Sequence, residues 1–268
     1  MIIYDFKEYP QVYYTGDIHG LFSEFVNDIN VRKKINNSII ICCGDIGMGF
    51  YKIGYYIDLF NKLNKKLEKS NNILCFIRGN HDNPGYFNTD RLTFIDENHT
   101  LFKYSHIKFI SDYSIIQTID GNVLCIGGAI SIDRVGRILD KSYWDNEIIL
   151  PIGDEEKDFI ANSNLDINIV CTHSSPEIAE PSTKYTGAWL SYDPLLKQDL
   201  SVERKTLQDV YEYLTQKYNI THWIYGHFHQ RYDTVTNNTR FHGCDMFRGS
   251  KGEIGAELFE INKKFIEN

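Results

Sequence analysis

A chain of 268 residues, 42% hydrophobic and 24% charged, can bury a core of its own, which excludes a disulfide-stapled miniprotein and a disordered chain. Its formal net charge of -8 leaves no broad cationic surface, so an extended hold on nucleic acid or on an anionic membrane is not expected. No basic segment followed by an apolar one opens it, and no apolar run nears the roughly 18 residues that cross a bilayer, so a cytoplasmic protein is expected.

Taken in chain order, the predicted strands end at glycines. QVYYTG runs into DIHG, SIIICCG into DIG, and NILCFIRG into NHD. Each strand breaks at Gly16, Gly44 or Gly79, and polar side chains able to bind a ligand follow at once. Loops at the carboxyl ends of strands are where α/β sheets gather ligands. Helices are predicted between these strands over residues 21–34 and 53–70, the second with Ile57, Phe60, Leu63 and Leu67 on one face and lysines opposite.

The middle of the chain carries closely spaced strands, HIKFI, YSIIQTI and NVLCIGGA, with Asp120-Gly121-Asn122 as a turn; a second or mixed sheet is expected to begin here. A loop over 127–151 leads to a short helix near 154–162, the strand INIVCTH, a long polar loop over 174–199 and a helix near 202–218. THWIYG makes a fourth glycine-bounded junction, and RYDTV, TRFHG and GAELFEI read as terminal strands. No repeat or low-complexity linker interrupts this order, so one domain over 1–268 is expected. Cys42, Cys43, Cys75, Cys125 and Cys171 lie in apolar β-like runs and no C-x-x-C spacing occurs, so packed free thiols are expected rather than a thiolate zinc site or redox pair.

Five of the nine histidines, His19, His81, His173, His227 and His229, stand at strand-end loops beside Gly, Asp or Asn. Any one alone reads as a surface or core histidine; together they point to one site. In extended backbone, residues two apart face the same way, so Asp17 and His19 can reach one ion, and His227 and His229 repeat the device around Phe228. Asp45 offers two oxygens able to bridge two cations, Asn80 an amide oxygen, and His173 follows a buried-looking strand. Mixed oxygen and imidazole ligation suits Mn, Fe, Zn or Ni better than Ca or Mg. Two cations about 3.5–4 Å apart can hold a bridging hydroxide and clamp a phosphoryl group for in-line attack. The chemistry expected is phosphoester hydrolysis.

In that order GDIHG, GD, GNHD, a lone TH and GHFH, spanning 16–229, resemble the calcineurin-like metallophosphoesterase superfamily. The resemblance implies an α/β fold, a two-sheet β-sandwich flanked by α-helices. It also implies two divalent transition-metal ions, manganese first among Mn, Fe, Zn and Ni. Asp17, His19 and His229 would hold one, Asn80, His173 and His227 the other, and Asp45 would bridge them. His81 would be the proton donor to the leaving oxygen, or else a charge that stabilises the transition state, with Asp82 orienting it.

GDIHG and RGNHD lean toward the serine/threonine-phosphatase-like branch, while GGAISIDRVGR, SYWDNE and THSSPE look more like phosphoesterases of bacteria and their phages. The protein-phosphatase motif continues Gly-Asp-x-Val-Asp-Arg-Gly; this chain reads Gly44-Asp45-Ile46-Gly47-Met48-Gly49, without the arginine that would grip phosphate. Arg134 or Arg137, after Gly127-Gly128, can supply a bidentate contact instead, with Arg134 the candidate and a salt bridge to Asp133 or Asp140 its alternative. Asn80 and Arg78 are the other substrate-binding candidates, a salt bridge competing for Arg78. Tyr185, Trp189 and Tyr192 can stack on a base, cover the metals or simply pack.

The expected activity is a phosphomonoesterase acting on a phosphoprotein or a small phosphorylated molecule; the alternative is a phosphodiesterase acting on cyclic nucleotides or nucleic acid. No membrane partner is expected, and the sequence leaves the oligomeric state open.

Overall fold

The computed structural model describes residues 1–87, 104–181, 186–249 and 255–261. Two β-sheets lie face to face with helices on the outer side of each. The first sheet holds β2 (Gln11–Thr15), β3 (Ser38–Cys42), β4 (Ile73–Phe76) and β5 (Ile107–Phe109) in that order, all parallel. The second has seven strands in the order β1 (Ile3–Asp5), β6 (Ser114–Thr118), β7 (Gly121–Ile126), β8 (Ile167–Thr172), β9 (His222–Tyr225), β11 (Thr239–Gly243) and β10 (Tyr232–Thr236).

A strand buried on both faces reads as an unbroken apolar run, and its alternate side chains enter different cores. From β3, Ile39 and Ile41 point into the core between the sheets, with Cys43 just beyond the strand, while Ile40 and Cys42 point to the helices. From β7, Val123 and Cys125 join the same central core, and Leu124 and Ile126 face the opposite helical layer. All six cysteines are buried and free, as packed small hydrophobes.

Helix α1 (Phe22–Asn27) and α2 (Ile53–Ser70) cover the first sheet through Phe22, Phe25, Phe60, Leu63 and Leu67. Helices α3 (Asp154–Asn162) and α5 (Leu196–Thr215) cover the second through Ile160, Leu207, Val210 and Leu214, and a four-residue turn, α4 (Thr186–Trp189), precedes α5.

Several predicted bounds shift. The helix expected over 21–34 is interrupted: α1 gives way to a π-helical turn over Asp28–Arg32, where the buried Asp28 carboxylate accepts from the Ala256 N–H, a contact no local pattern announces. HIKFI pairs with β4 as the edge of the first sheet, so in the middle of the chain the strands of the second sheet start at β6, and that sheet also takes in β1 from the start of the chain. The β6–β7 turn is made by Ile119 and Asp120, Gly121 already belonging to β7. GAELFEI is no full strand; Phe259 exchanges two hydrogen bonds with Tyr14, at 2.8 and 2.9 Å, and pairs no further. Among the described residues no helix is long and apolar enough to cross a membrane. Tyr185 lies outside the described residues.

The topology places the site. β2, β3 and β4 run parallel in one sheet, β7, β8 and β9 in the other, and the loops leaving the carboxyl ends of all six meet across one end of the sandwich.

Candidate metal centre

Asp17 and His19 leave β2, Asp45 leaves β3, Asn80 and His81 leave β4, His173 leaves β8, and His227 and His229 leave β9. His19, Asp45, His227 and His229 have φ of 49°, 47°, 68° and 50°, the left-handed region that non-glycine residues seldom adopt. Such strain persists only where the surroundings over-determine it, and it gathers at functional sites. At Gly44, which has φ of 95°, the reason for glycine is also proximity: a β-carbon would fall 2.3 Å from Nδ1 of His173.

One half of the site centres on Asp17. His229 Nε2 lies 2.9 Å and His19 Nε2 3.6 Å from Asp17 Oδ2, and the two nitrogens are 3.0 Å apart. Ligand atoms from Asp17, His19, Asp45 and His229 all fall within 4.8 Å of one another. Asp17 Oδ2 is buried, and among the described residues these imidazole nitrogens are what faces it. Acceptor atoms packed this tightly repel each other unless a cation or protons lie among them, and nitrogen ligands about 2.0–2.1 Å from one metal ion approach each other to this degree. The donor set therefore fits a transition-metal ion.

The other half centres on His173. Its Nε2 is 3.2 Å from Asp45 Oδ1 and 3.0 Å from Asn80 Oδ1, while its Nδ1 lies 2.6 Å from the Cys43 carbonyl. A carbonyl only accepts, so Nδ1 carries a proton, which leaves Nε2 as the nitrogen that a metal ion would take. Asn80 is fixed in the same way: its Nδ2 donates to Ser131 Oγ at 3.0 Å, which donates to Glu147 Oε2 at 2.8 Å, turning Oδ1 toward His173. The His227 ring stands 5.0 Å from that of His173, and its backbone N–H donates to Asp17 Oδ1 at 3.0 Å. The roles of Ser131, Glu147 and the Cys43 carbonyl escape a sequence reading; the GGAISIDRVGR and SYWDNE segments, which contain Ser131 and Glu147, were the signal for the first two.

The charges are strongly coupled. Burial works to raise the Asp45 pKa, but the imidazoles of His173, His81 and His19 hold it well below the usual carboxylate range. Burial, then His173 and Arg204, push His227 well down, which keeps it the neutral imidazole that binds metals. Desolvation works to lower His229, but Asp17 and Asp45 raise it, and its side chain remains 41% exposed.

One assignment read from sequence is corrected, and for Arg78 and Arg134 the structure shows the competing ion pair, that of Arg134 with other partners than Asp133 or Asp140. Asp82 does not orient His81: it is fully buried and accepts from the backbone N–H groups of Ile46, Gly47, Met48 and Gly79, so it ties the β3 and β4 loops together. Burial and the nearby Asp45 push its carboxyl up to about 6. Arg78 does not reach a substrate; it is 2% exposed, pairs with Asp112 at 2.8 Å and donates to the carbonyls of Glu147 and Ile148. Arg134 is held by Asp193 at 2.6 Å and Asp199 at 2.5 Å, carboxylates remote in sequence that come from the loop before α5 and from the first turn of α5.

His81 faces a cavity of about 390 Å³ whose floor holds His19, Asp45, Asn80, His227 and His229. Arg137, Arg204 and Trp189 stand on its walls, whereas Tyr192 is 71% exposed and lines no part of it. Arg204, from α5, is spent on Glu203, Ser174 and Glu180 and lies 5.0 Å over the Phe228 ring.

This fold and donor set define a metal-dependent phosphoesterase. The sequence profile of the calcineurin-like phosphoesterases matches residues 10–231, and the chain belongs to that family. No curated protein matches the sequence. Solved structures with a similar layout include the phosphopantetheinyl hydrolase of Mycobacterium tuberculosis, 13% identical, covering 96% of this chain and 98% of that one with a TM-score of 0.47. The cold-active protein-tyrosine phosphatase of a psychrophilic Shewanella is 15% identical over 98% of this chain and 78% of that one, with a TM-score of 0.40. A protein serine/threonine phosphatase from Saccharomyces cerevisiae is 10% identical over 98% and 84%, with a TM-score of 0.34.

Proposed function

We propose that this chain is a dinuclear phosphomonoesterase, manganese-dependent and cytoplasmic, built as one domain, that hydrolyses a phosphoprotein or a small phosphorylated molecule. The observation that carries the reading is the convergence of two donor groups on Asp45: Asp17, His19 and His229 on one side, Asn80, His173 and His227 on the other. These residues would hold two divalent ions, which when bound activate water and neutralise charge on the phosphoryl oxygens.

The chain's own part is to position and to transfer a proton. His81 is partly exposed at the cavity floor, with Nε2 3.8 Å from Asp45 Oδ2, and is placed to protonate the leaving oxygen. Burial holds its pKa below the ordinary imidazole value in the free protein, Asp45 opposing. The negative charge of a bound phosphate favours the protonated ring, so the acid is loaded when substrate is present. The backbone N–H of His81 donates to Asp45 Oδ1 at 2.7 Å, which keeps the acid and the shared carboxylate in one geometry.

The test compares manganese-loaded protein on matched nitrophenyl monoester and diester substrates. Faster monoester cleavage supports the reading; a large preference for the diester moves the assignment to a phosphodiesterase.

A further inference from the structure

Given the phosphoesterase reading above, on which this step rests, we infer that Arg137 is the residue that grips the substrate phosphate and tilts the enzyme toward monoesters. The usual arginine is missing after Asp45, and of the other arginines near the site Arg78 is held by Asp112 and Arg134 by Asp193 and Asp199, while Arg204 is anchored through Nη1 and Nε by Glu203, Ser174 and Glu180.

Arg137 is different. It descends from the loop after β7 with 12% of its side chain exposed, and its guanidinium is oriented by Asp133 through Nε at 2.6 Å and Nη2 at 2.9 Å. Nη1 donates to the Ser142 carbonyl at 3.2 Å. Each Nη carries two N–H bonds, so one on each remains, and both point at the His81 ring: Nη2 is 2.7 Å from Nε2, and Nη1 is 3.2 Å from Nδ1. A neutral imidazole accepts at one nitrogen only and a protonated one at neither. At least one guanidinium donor is therefore left facing a ring nitrogen that cannot accept, inside the cavity that holds Asp45, Asn80 and the histidines.

A partly buried guanidinium held by one edge, with its other edge short of acceptors, suits a planar pair of anionic oxygens. The class of ligand is a phosphate monoester dianion. A monoester has three terminal oxygens and a diester two, so an arginine contact added to the contacts made by the rest of the site favours the monoester.

The experiment measures inorganic phosphate binding by calorimetry, metal content, and kinetics on the nitrophenyl monoester and diester, in the manganese-loaded full chain and in Arg137→Ala. Loss of a charged hydrogen bond predicts phosphate binding weaker by about 10- to 100-fold. Metal content should stay at the wild-type level, and kcat/KM should fall further on the monoester than on the diester. Arg137→Lys should recover only part of the loss, because the charge returns without the fork. Arg137→Gln gives the same comparison if the alanine variant folds poorly. Unchanged phosphate affinity, or equal losses on the two esters, overturns the assignment. Wild-type protein that binds metal yet cleaves neither ester would instead refute the phosphoesterase reading, a separate outcome.

Discussion

A β-carbon on Gly79 would fall 2.1 Å from Oδ1 of Asp45 and 2.3 Å from its backbone nitrogen, so the β4 loop rests directly on the carboxylate at the centre of the site. Gly79→Ala should therefore either push Asp45 aside or lift the loop. Overpacking of this kind costs about 1–3 kcal/mol. Thermal melts should register that loss, and metal analysis should show lower occupancy. A variant with wild-type melting and wild-type metal content would contradict the contact.

Asp45 and His81 should fail in different ways. Asp45→Ala removes the carboxylate shared by both donor groups, and should lose metal together with activity. His81→Ala should keep its metal and lose turnover by about 10²–10⁴, the range of a lost proton donor. Metal analysis beside kcat separates the two; equal metal loss in both variants would refute the division of labour.

Removal of metal should loosen the fold at one end. Asp17 Oδ2 is buried, and the imidazole nitrogens of His229 and His19 crowd it at 2.9 and 3.6 Å. A cation held there stabilises by mass action, about 2.7 kcal/mol at a free concentration one hundred times Kd. Protein stripped with a chelator should melt lower and recover as manganese is added back. Asp17→Asn should show a much smaller recovery, and a wild-type melting curve indifferent to metal would count against the site.

A pH effect unrelated to the metal site is expected from His242. Its side chain is fully buried, with Nδ1 3.1 Å from Asp233 Oδ2 and Nε2 3.6 Å from Glu257 Oε1, and its ring stacks on Phe259 at 3.8 Å. Burial works to lower its pKa, but Cys244, Glu257 and Asp233 together raise it from 6.5 to about 9. The folded value exceeds the unfolded one, so the stabilisation is complete below pH 6.5 and disappears as pH rises through about 9. The melting temperature should fall across that interval in the wild type, and His242→Gln should flatten the fall. Parallel curves for the two proteins would remove His242 as the cause.

The strand-ending glycines, the α2 face of Phe60, Leu63 and Leu67, and the order of the Asp, Asn and His motifs were all legible in the sequence, because each is a local pattern. Period-two burial, the helical period and the need for glycine at a sharp strand exit act over a few residues. That locality also let a handful of short motifs announce one site before any strand pairing was known.

Roles set by distant partners were not legible. Asp82 follows His81 directly, yet four backbone N–H groups claim its carboxylate; Arg134 and Arg137 are three residues apart in one loop, yet Asp193 and Asp199 hold the first while the second turns to His81. Local sequence supplied the donors and the charges; tertiary structure decided which acceptor each one meets, because a guanidinium or a carboxylate turns toward whatever opposite charge the folded chain brings within about 3 Å.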